Sequence, residues 1–147
     1  MKHNEQTEAI LAARFGKDSL IALATVEEGV PTVRTVDTVY LRGAFYVVTH
    51  ALSGKMRQIY KNPTVALCGE WFSAHGIGID LGHVKKEENR EIMDILRTAF
   101  AQWYGNGHVN EEDPGTILLK LELTNGVLFH QGIRYDLEFS EKEFSGK

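Results

Sequence analysis

The strongest constraint on the fold is a run of short segments rich in β-branched and apolar residues, each closed by a turn signal. Residues 19–26 and 31–41 are separated by Glu28-Gly29, and residues 45–49 follow the short connection 41–44. Such spacing is typical of consecutive antiparallel strands joined by tight turns. We therefore expect a three-strand meander in the first third of the chain.

The rest of the chain adds further strand patterns and three helical ones. Predicted strands cover residues 64–69, 72–84, 116–123 and 133–139, and predicted helices cover residues 4–15, 54–61 and 87–104. Asn4 is suited to cap the first helix, Gly16 to end it in the left-handed conformation, and Asn62-Pro63 to end the second. Strands and helices do not alternate as in βαβ units. The sequence predicts a mainly β fold, an antiparallel barrel with flanking α-helices.

The composition fits one soluble globular domain spanning residues 1–147. A formal charge of -4 argues against a nucleic-acid partner. No uncharged apolar stretch approaches the roughly 18 residues that cross a bilayer, and the N-terminus lacks a signal core, so we expect no membrane association and a cytoplasmic location. Cys68 lies in an apolar run and is expected to be a small buried residue. Residues 140–147 are expected to fray.

One predicted strand, residues 72–84, carries glycines on one face. Gly76, Gly78 and Gly82 alternate with a face that holds His75, Ile77, Ile79, Leu81 and His83. Glycines weaken a plain strand, so they indicate either bends of a closing barrel or a place where a flat ligand or another backbone comes close. His75 and His83 would stand roughly 26 Å apart at about 3.3 Å per residue and so do not share a metal ion. We expect no metal site.

Residues 49–55 place two hydroxyls and one ammonium where a predicted strand runs into a predicted helix. Thr49, Ser53 and Lys55 surround a helix N-terminus, whose free amides and dipole favour an anion such as phosphate. The alternative is that Ser53 is only the N-cap and Lys55 is only solvated. His50 is a further candidate ligand in the same loop, and its alternative is an exposed loop histidine. Arg34, within a strand pattern, has a planar fork that suits a phosphate.

These residues resemble the pyridoxamine 5'-phosphate oxidase-like, FMN-binding split-barrel flavoproteins, in particular the compact bacterial general-stress and nitroimidazole-resistance members. The resemblance covers most of the chain up to about residue 84. It is carried by an ordered series of motifs: Val33-Arg34-Thr35-Val36, Phe45-Tyr46-x-x-Thr49, Ser53-x-Lys55-x-x-Gln58-Ile59 and Asn62-Pro63-x-Val65-Ala66-Leu67.

The resemblance implies a split barrel that forms a homodimer with FMN at the subunit interface. The phosphate would be held by Arg34, Thr49, Ser53 and Lys55, and the strand at Thr35, Val36 and Asp37 would border the isoalloxazine with backbone groups. Gln58 would be structural or at the pocket edge. Ile77 stands where oxidase-type relatives place a glutamine, and the C-terminal Arg-x-Trp segment is missing. Pyridoxamine phosphate oxidation is therefore not expected.

The function implied is that of an FMN-dependent oxidoreductase, similar to a flavin reductase or nitroreductase. A small molecule would be the acceptor and NAD(P)H the reductant, and no catalytic side chain is assigned because the flavin itself carries electrons. A different class of function also fits the sequence, a non-catalytic protein that holds flavin or haem for storage or sensing. A third reading is a barrel that has lost its cofactor and serves as an interaction module.

Overall fold

A computed structural model describes residues 2–139 of the chain, and the predicted frayed end at residues 140–147 lies outside them. Three α-helices occur in this part: α1 (Glu5–Phe15), α2 (Gly54–Lys61) and α3 (Arg90–Ala99), the last preceded by a 3-10 turn at Glu87–Asn89. The strands are β1 (Ser19–Glu27), β2 (Val30–Leu41), β3 (Ala44–His50), β4 (Thr64–Gly69), β5 (Phe72–His83), β6 (Thr116–His130) and β7 (Ile133–Glu138).

All strand pairings between these elements are antiparallel, in the order β3-β2-β1-β4-β5-β6-β7. Pairing of β3 with β6 closes six of the strands into a barrel and leaves β7 as an added strand. β2 pairs with β3 only at residues 39–41, although its pairing with β1 covers residues 30–38. In the described residues, one edge of β2 is therefore unpaired over residues 30–38. The predicted mainly β barrel with flanking helices is confirmed.

The barrel is filled by alternating side chains from its strands, together with one face of α1 and one face of α2. Fully buried members include Leu11, Leu23, Phe45, Met56 and Leu121. A second apolar cluster lies outside the barrel, where α3 packs Met93, Leu96 and the adjoining Phe100 against Val39, Tyr46 and Leu118. β6 is consequently apolar on both faces near its start, because one face fills the barrel and the other lies under α3.

Gly76 and Gly78 of β5 point into the barrel, whereas Gly82 lies at the second register shift, beside the side chain of Lys86. A Cβ at Gly76 would lie 2.6 Å from the carbonyl oxygen of Glu122, at a register shift between β5 and β6, and a Cβ at Gly78 would lie 2.9 Å from Ile59 of α2. At Gly76, barrel curvature and the close approach of a neighbouring backbone therefore act together, and at Gly78 the missing side chain leaves room for Ile59.

Several local predictions are wrong. The third helix was expected over residues 87–104 but spans only Arg90–Ala99, because the chain before it forms a 3-10 turn and the chain from Phe100 to Tyr104 continues as turns with mixed i,i+3 and i,i+4 hydrogen bonds. Gly16 ends α1 with φ -77, not in the left-handed region, and its lack of a Cβ matters because one would lie 2.4 Å from Ala12 O. Cys68 is exposed, because it belongs to the outward set of β4 while Val65 and Leu67 face the core.

Within residues 2–139, no helix has both the length and the apolar character needed to cross a membrane.

Candidate functional site

The candidate site lies at the connection between the end of β3 and the start of α2. Ser53 caps the helix by accepting a hydrogen bond from the Met56 amide at 3.3 Å, and Arg57 N is the first amide bonded to the cap carbonyl. The amides of Gly54 and Lys55 thus have no intrahelical acceptor. The space in front of Gly54 is open, since a Cβ there would meet no atom within 4 Å. This helix end can receive an anion.

Lys55 turns back toward the end of β3. Its ammonium donates a hydrogen bond to the Thr49 hydroxyl at 2.9 Å. Burial is the larger cause that lowers the pKa of Lys55, and the positive charge of Arg34 lowers that pKa further. Lys55 lies one helical turn before Gln58 on α2, so the two side chains point to the same side of the helix.

Arg34 extends from β2 to α2, where its Nη2 donates a hydrogen bond to Gln58 Oε1 at 3.4 Å. One guanidinium nitrogen, Nη1, donates to Thr25 Oγ1 at 2.8 Å and to the backbone carbonyls of Leu23 and Thr32 at 3.2 and 3.3 Å. All of these acceptors are neutral. Within residues 2–139, neither Arg34 nor Lys55 forms an ion pair with a carboxylate. We call Arg34, Thr49, Ser53 and Lys55 the cationic cradle.

A partly buried cation without a counterion is unfavourable unless something else supplies the negative charge. The cradle combines two such cations with a hydroxyl and a helix N-terminus, and this is the donor set that phosphate groups prefer. The residues present therefore fit a phosphate-bearing cofactor.

The family model described as pyridoxamine 5'-phosphate oxidase matches residues 6–128, most of the chain. The chain belongs to this family. None of the curated protein sequences compared with the chain is significantly similar to it.

Several solved structures share the fold at low sequence identity. General Stress Protein 26 from Bacillus anthracis is 16% identical, with a TM-score of 0.66 over 88% of this chain and 98% of that chain. A NimC/NimA family protein from Clostridium acetobutylicum is 19% identical, with a TM-score of 0.63 over 90% and 94%. A FAD-binding protein from Mesorhizobium loti is 13% identical, with a TM-score of 0.64 over 84% and 91%. These likenesses show the shared fold, and the match to the family model confirms the expected membership of the pyridoxamine 5'-phosphate oxidase-like family.

Thr35, Val36 and Asp37 lie in the part of β2, residues 30–38, that has one unpaired edge among the described strands. Val36 is buried in the barrel core, Thr35 is exposed and Asp37 is half-buried on the outer face. Burial is the first cause that raises the pKa of Asp37, and a hydrogen bond with Asp18 adds to it. Within residues 2–139, the backbone groups on this edge of β2 have no strand partner over residues 30–38.

His50 does not join the cradle. Its side chain lies on the other face of β3, where Nε2 is 3.1 Å from Asp113 Oδ2 and Nδ1 accepts a hydrogen bond from the Leu52 amide. Both ring nitrogens are therefore engaged by the chain itself. Through these two contacts the imidazole connects the loop before β6 to the turn that leads into α2.

Sequence reasoning missed the support behind Arg34. Thr25, fully buried, accepts from Arg34 and donates to the side-chain oxygen of Gln58, which also accepts from Arg34 Nη2 at 3.4 Å. The available signal was that Thr25 follows Ile21 and Leu23 on the inward face of β1, a polar residue at an apolar position.

The outer side of the barrel beside β2 is shallow and made of small residues. A groove of about 350 Å³ runs over β1, β4, β5 and β6. We call it the small-residue face, and it includes Ala22, Ala24, Ala66, Cys68, Ser73 and His75. Val33 of β2 also lines this groove and is 66% accessible, and Leu20, on the same side of β1 as Ala22, is 67% accessible. Within residues 2–139, no group of three or more potential ligands could hold a metal ion.

Proposed function

We propose that this protein binds FMN in the cationic cradle and acts as an FMN-dependent oxidoreductase, passing electrons from a reduced nicotinamide nucleotide to a small acceptor. One observation carries the proposal: Arg34 donates to Gln58 of α2, one helical turn after Lys55, and neither cation has a carboxylate partner among the described residues. The FAD-binding relative named above supports a flavin in this fold.

The chain's own residues would bind and orient the cofactor. Arg34 and Lys55 would neutralise the phosphate, Thr49 and Ser53 would bind its oxygens, and the unpaired edge of β2 would offer amides and carbonyls to the ring. When bound, the isoalloxazine supplies the redox chemistry, so no nucleophile of the chain is required. Half-buried Asp37 and its neighbours would limit the access of water to that edge.

We also propose that the site is completed by a second copy of the chain. The small-residue face lies next to the open edge of β2, and its alanines would allow another sheet to approach closely. The exposed Leu20 and Val33 would become buried there, and burial of apolar surface yields about 25 cal/mol per Å². A homodimer would thereby enclose the ring while the cradle anchors the phosphate.

The proposal is tested by titrating the purified protein with FMN and with riboflavin, which lacks the phosphate. We expect FMN to bind far more tightly. In Arg34→Ala/Lys55→Ala the preference for FMN should fall by several kcal/mol, because each charged contact contributes about 1.5–3 kcal/mol. The measurement is flavin fluorescence and absorbance at fixed ionic strength.

Redox activity is followed on the wild-type complex. The flavin absorbance should bleach on addition of NADH or NADPH and return in air. Equal affinity for FMN and riboflavin would contradict the cradle as a phosphate site. A Soret band on haem addition, with no flavin redox cycle, would instead favour the non-catalytic storage or sensing protein, and a protein that binds neither would favour the interaction module.

A further inference from the structure

Gln58 lies between Arg34 of the cationic cradle and the carboxylate of Glu27. Its oxygen accepts from Thr25 and from Arg34, and its nitrogen donates to Glu27 Oε1 at 3.4 Å. The residue is only 6% accessible, so these protein groups are its main hydrogen-bond partners. The amide thus lies between a cation on one side and a carboxylate on the other.

The chemistry of the neighbours fixes the orientation of this amide. A guanidinium only donates hydrogen bonds and a carboxylate only accepts them. If the amide were reversed, its NH₂ group would face Arg34 and its oxygen would face Glu27. Only the orientation with the oxygen toward Arg34 and the nitrogen toward Glu27 lets both ends of the amide, the guanidinium and the carboxylate form their hydrogen bonds.

Glu27 is already neutralised by other cations. Arg57 donates to it from Nη2 at 3.1 Å, and Lys61 lies 3.5 Å away. These two residues lie on α2 beside Gln58, so Glu27 has its counterions on the helix and none in the cradle. The contact with Arg57 is the first cause that lowers the pKa of Glu27, which therefore stays ionised.

We propose that Gln58 is a specificity-determining residue that keeps the cradle positively charged, and so selects phosphate-bearing over phosphate-free ligands. It positions Arg34 through a neutral oxygen, whereas a carboxylate at residue 58 would pair with Arg34 and compete with the phosphate. The amide also forms hydrogen bonds with both Arg34 and Glu27, and it adds no negative charge of its own beside Arg34. This inference rests on the proposed function for its ligand, FMN, but concerns the charge balance of the cradle.

The decisive variant exchanges the two side chains, Glu27→Gln with Gln58→Glu. The exchange leaves the formal charge of the protein at -4 and retains one amide and one carboxylate, so only the place of the negative charge changes. We expect FMN affinity to fall at least tenfold and riboflavin affinity to change less than twofold. Gln58→Glu alone should behave in the same way.

Two further variants separate charge from shape. Gln58→Met removes the amide without adding charge, and it should lose less FMN affinity than Gln58→Glu. Gln102→Glu adds the same charge at an exposed position after α3 and should leave both affinities unchanged. The melting temperature and circular dichroism of each variant establish whether it is folded. If the exchange variant does not fold, the comparison of FMN affinity between Gln58→Met and Gln58→Glu tests the inference instead.

An independent probe distinguishes this inference from the proposed function. Inorganic pyrophosphate should raise the melting temperature of the wild type and not that of the exchange variant. If the wild type responds to pyrophosphate but does not prefer FMN over riboflavin, the proposed function fails and the inference stands. An exchange variant that retains the wild-type response and FMN affinity overturns the inference alone. An equal loss in Gln58→Met and Gln58→Glu would also overturn it.

Discussion

At the scale of single residues, Lys55 is a cation of the cradle whose surroundings disfavour its positive charge. Burial and the neighbouring Arg34 both disfavour its ammonium, and together they lower its pKa from the usual 10.5. Thr49 is a neutral acceptor and offsets only part of this cost. A phosphate would stabilise the protonated form, so ligand binding and protonation of Lys55 are coupled.

The coupling predicts how flavin affinity depends on pH. Because the free protein has the lowered pKa and the bound anion raises it again, the preference for FMN over riboflavin should decrease as pH rises from 7 toward 10.5, beginning below the usual lysine pKa. Titration of the ring itself cancels in the ratio of the two dissociation constants. Lys55→Arg, whose charge persists at these pH values, should keep the ratio nearly constant. A wild-type ratio that is flat over this range would contradict the coupling.

At the scale of elements, the junction of β5 with β6 determines the shape of the barrel wall. His75 pairs with Asn125 but Gly76 pairs with Leu123, so β6 has one extra residue at this point. The strand bends there, and Gly76 approaches the backbone of Glu122. A backbone carbonyl cannot rotate away as a flexible side chain can, so this position excludes even a methyl group.

Gly76→Ala should therefore destabilise the protein by about 1–3 kcal/mol, the usual cost of overpacking a buried site. The free energy of unfolding in urea gives the measurement. Gly105→Ala is the matched control, because a Cβ at Gly105 meets no atom within 4 Å, and it should leave stability nearly unchanged. Equal stability of the two variants would show that the bulge relaxes easily.

The elements also show what the sequence could predict. The bounds of α2 were predicted at both ends, because Ser53 and Asn62-Pro63 are local signals of a helix start and stop. The partners of Arg34 could not be predicted in the same way. Thr25 and Gln58 belong to separate elements, and only barrel closure brings them to the guanidinium. Cys68 was misassigned because an apolar run does not reveal which alternate residues face the core.

At the scale of the whole molecule, the barrel has one side that differs from an ordinary protein surface. The small-residue face lacks the long charged side chains that usually keep a sheet surface in water, and it adjoins the exposed Leu20 and Val33. Exposed Cys68 lies within this face. If two copies associate through it, as proposed, the accessibility of that thiol reports directly on the interface.

Ala66→Glu places a carboxylate within the small-residue face and should convert the proposed dimer into monomers. Burying an unpaired charge is strongly unfavourable, so we expect a halved mass in sedimentation, faster reaction of Cys68 with a thiol reagent, and weaker FMN binding despite an intact cradle. Ala101→Glu makes the same change at an exposed turn after α3 and should alter none of these. A wild type that is monomeric at micromolar concentration, with Cys68 as reactive as a free thiol, would rule out this interface. In that case the cradle alone would have to hold the flavin, and riboflavin would not bind measurably.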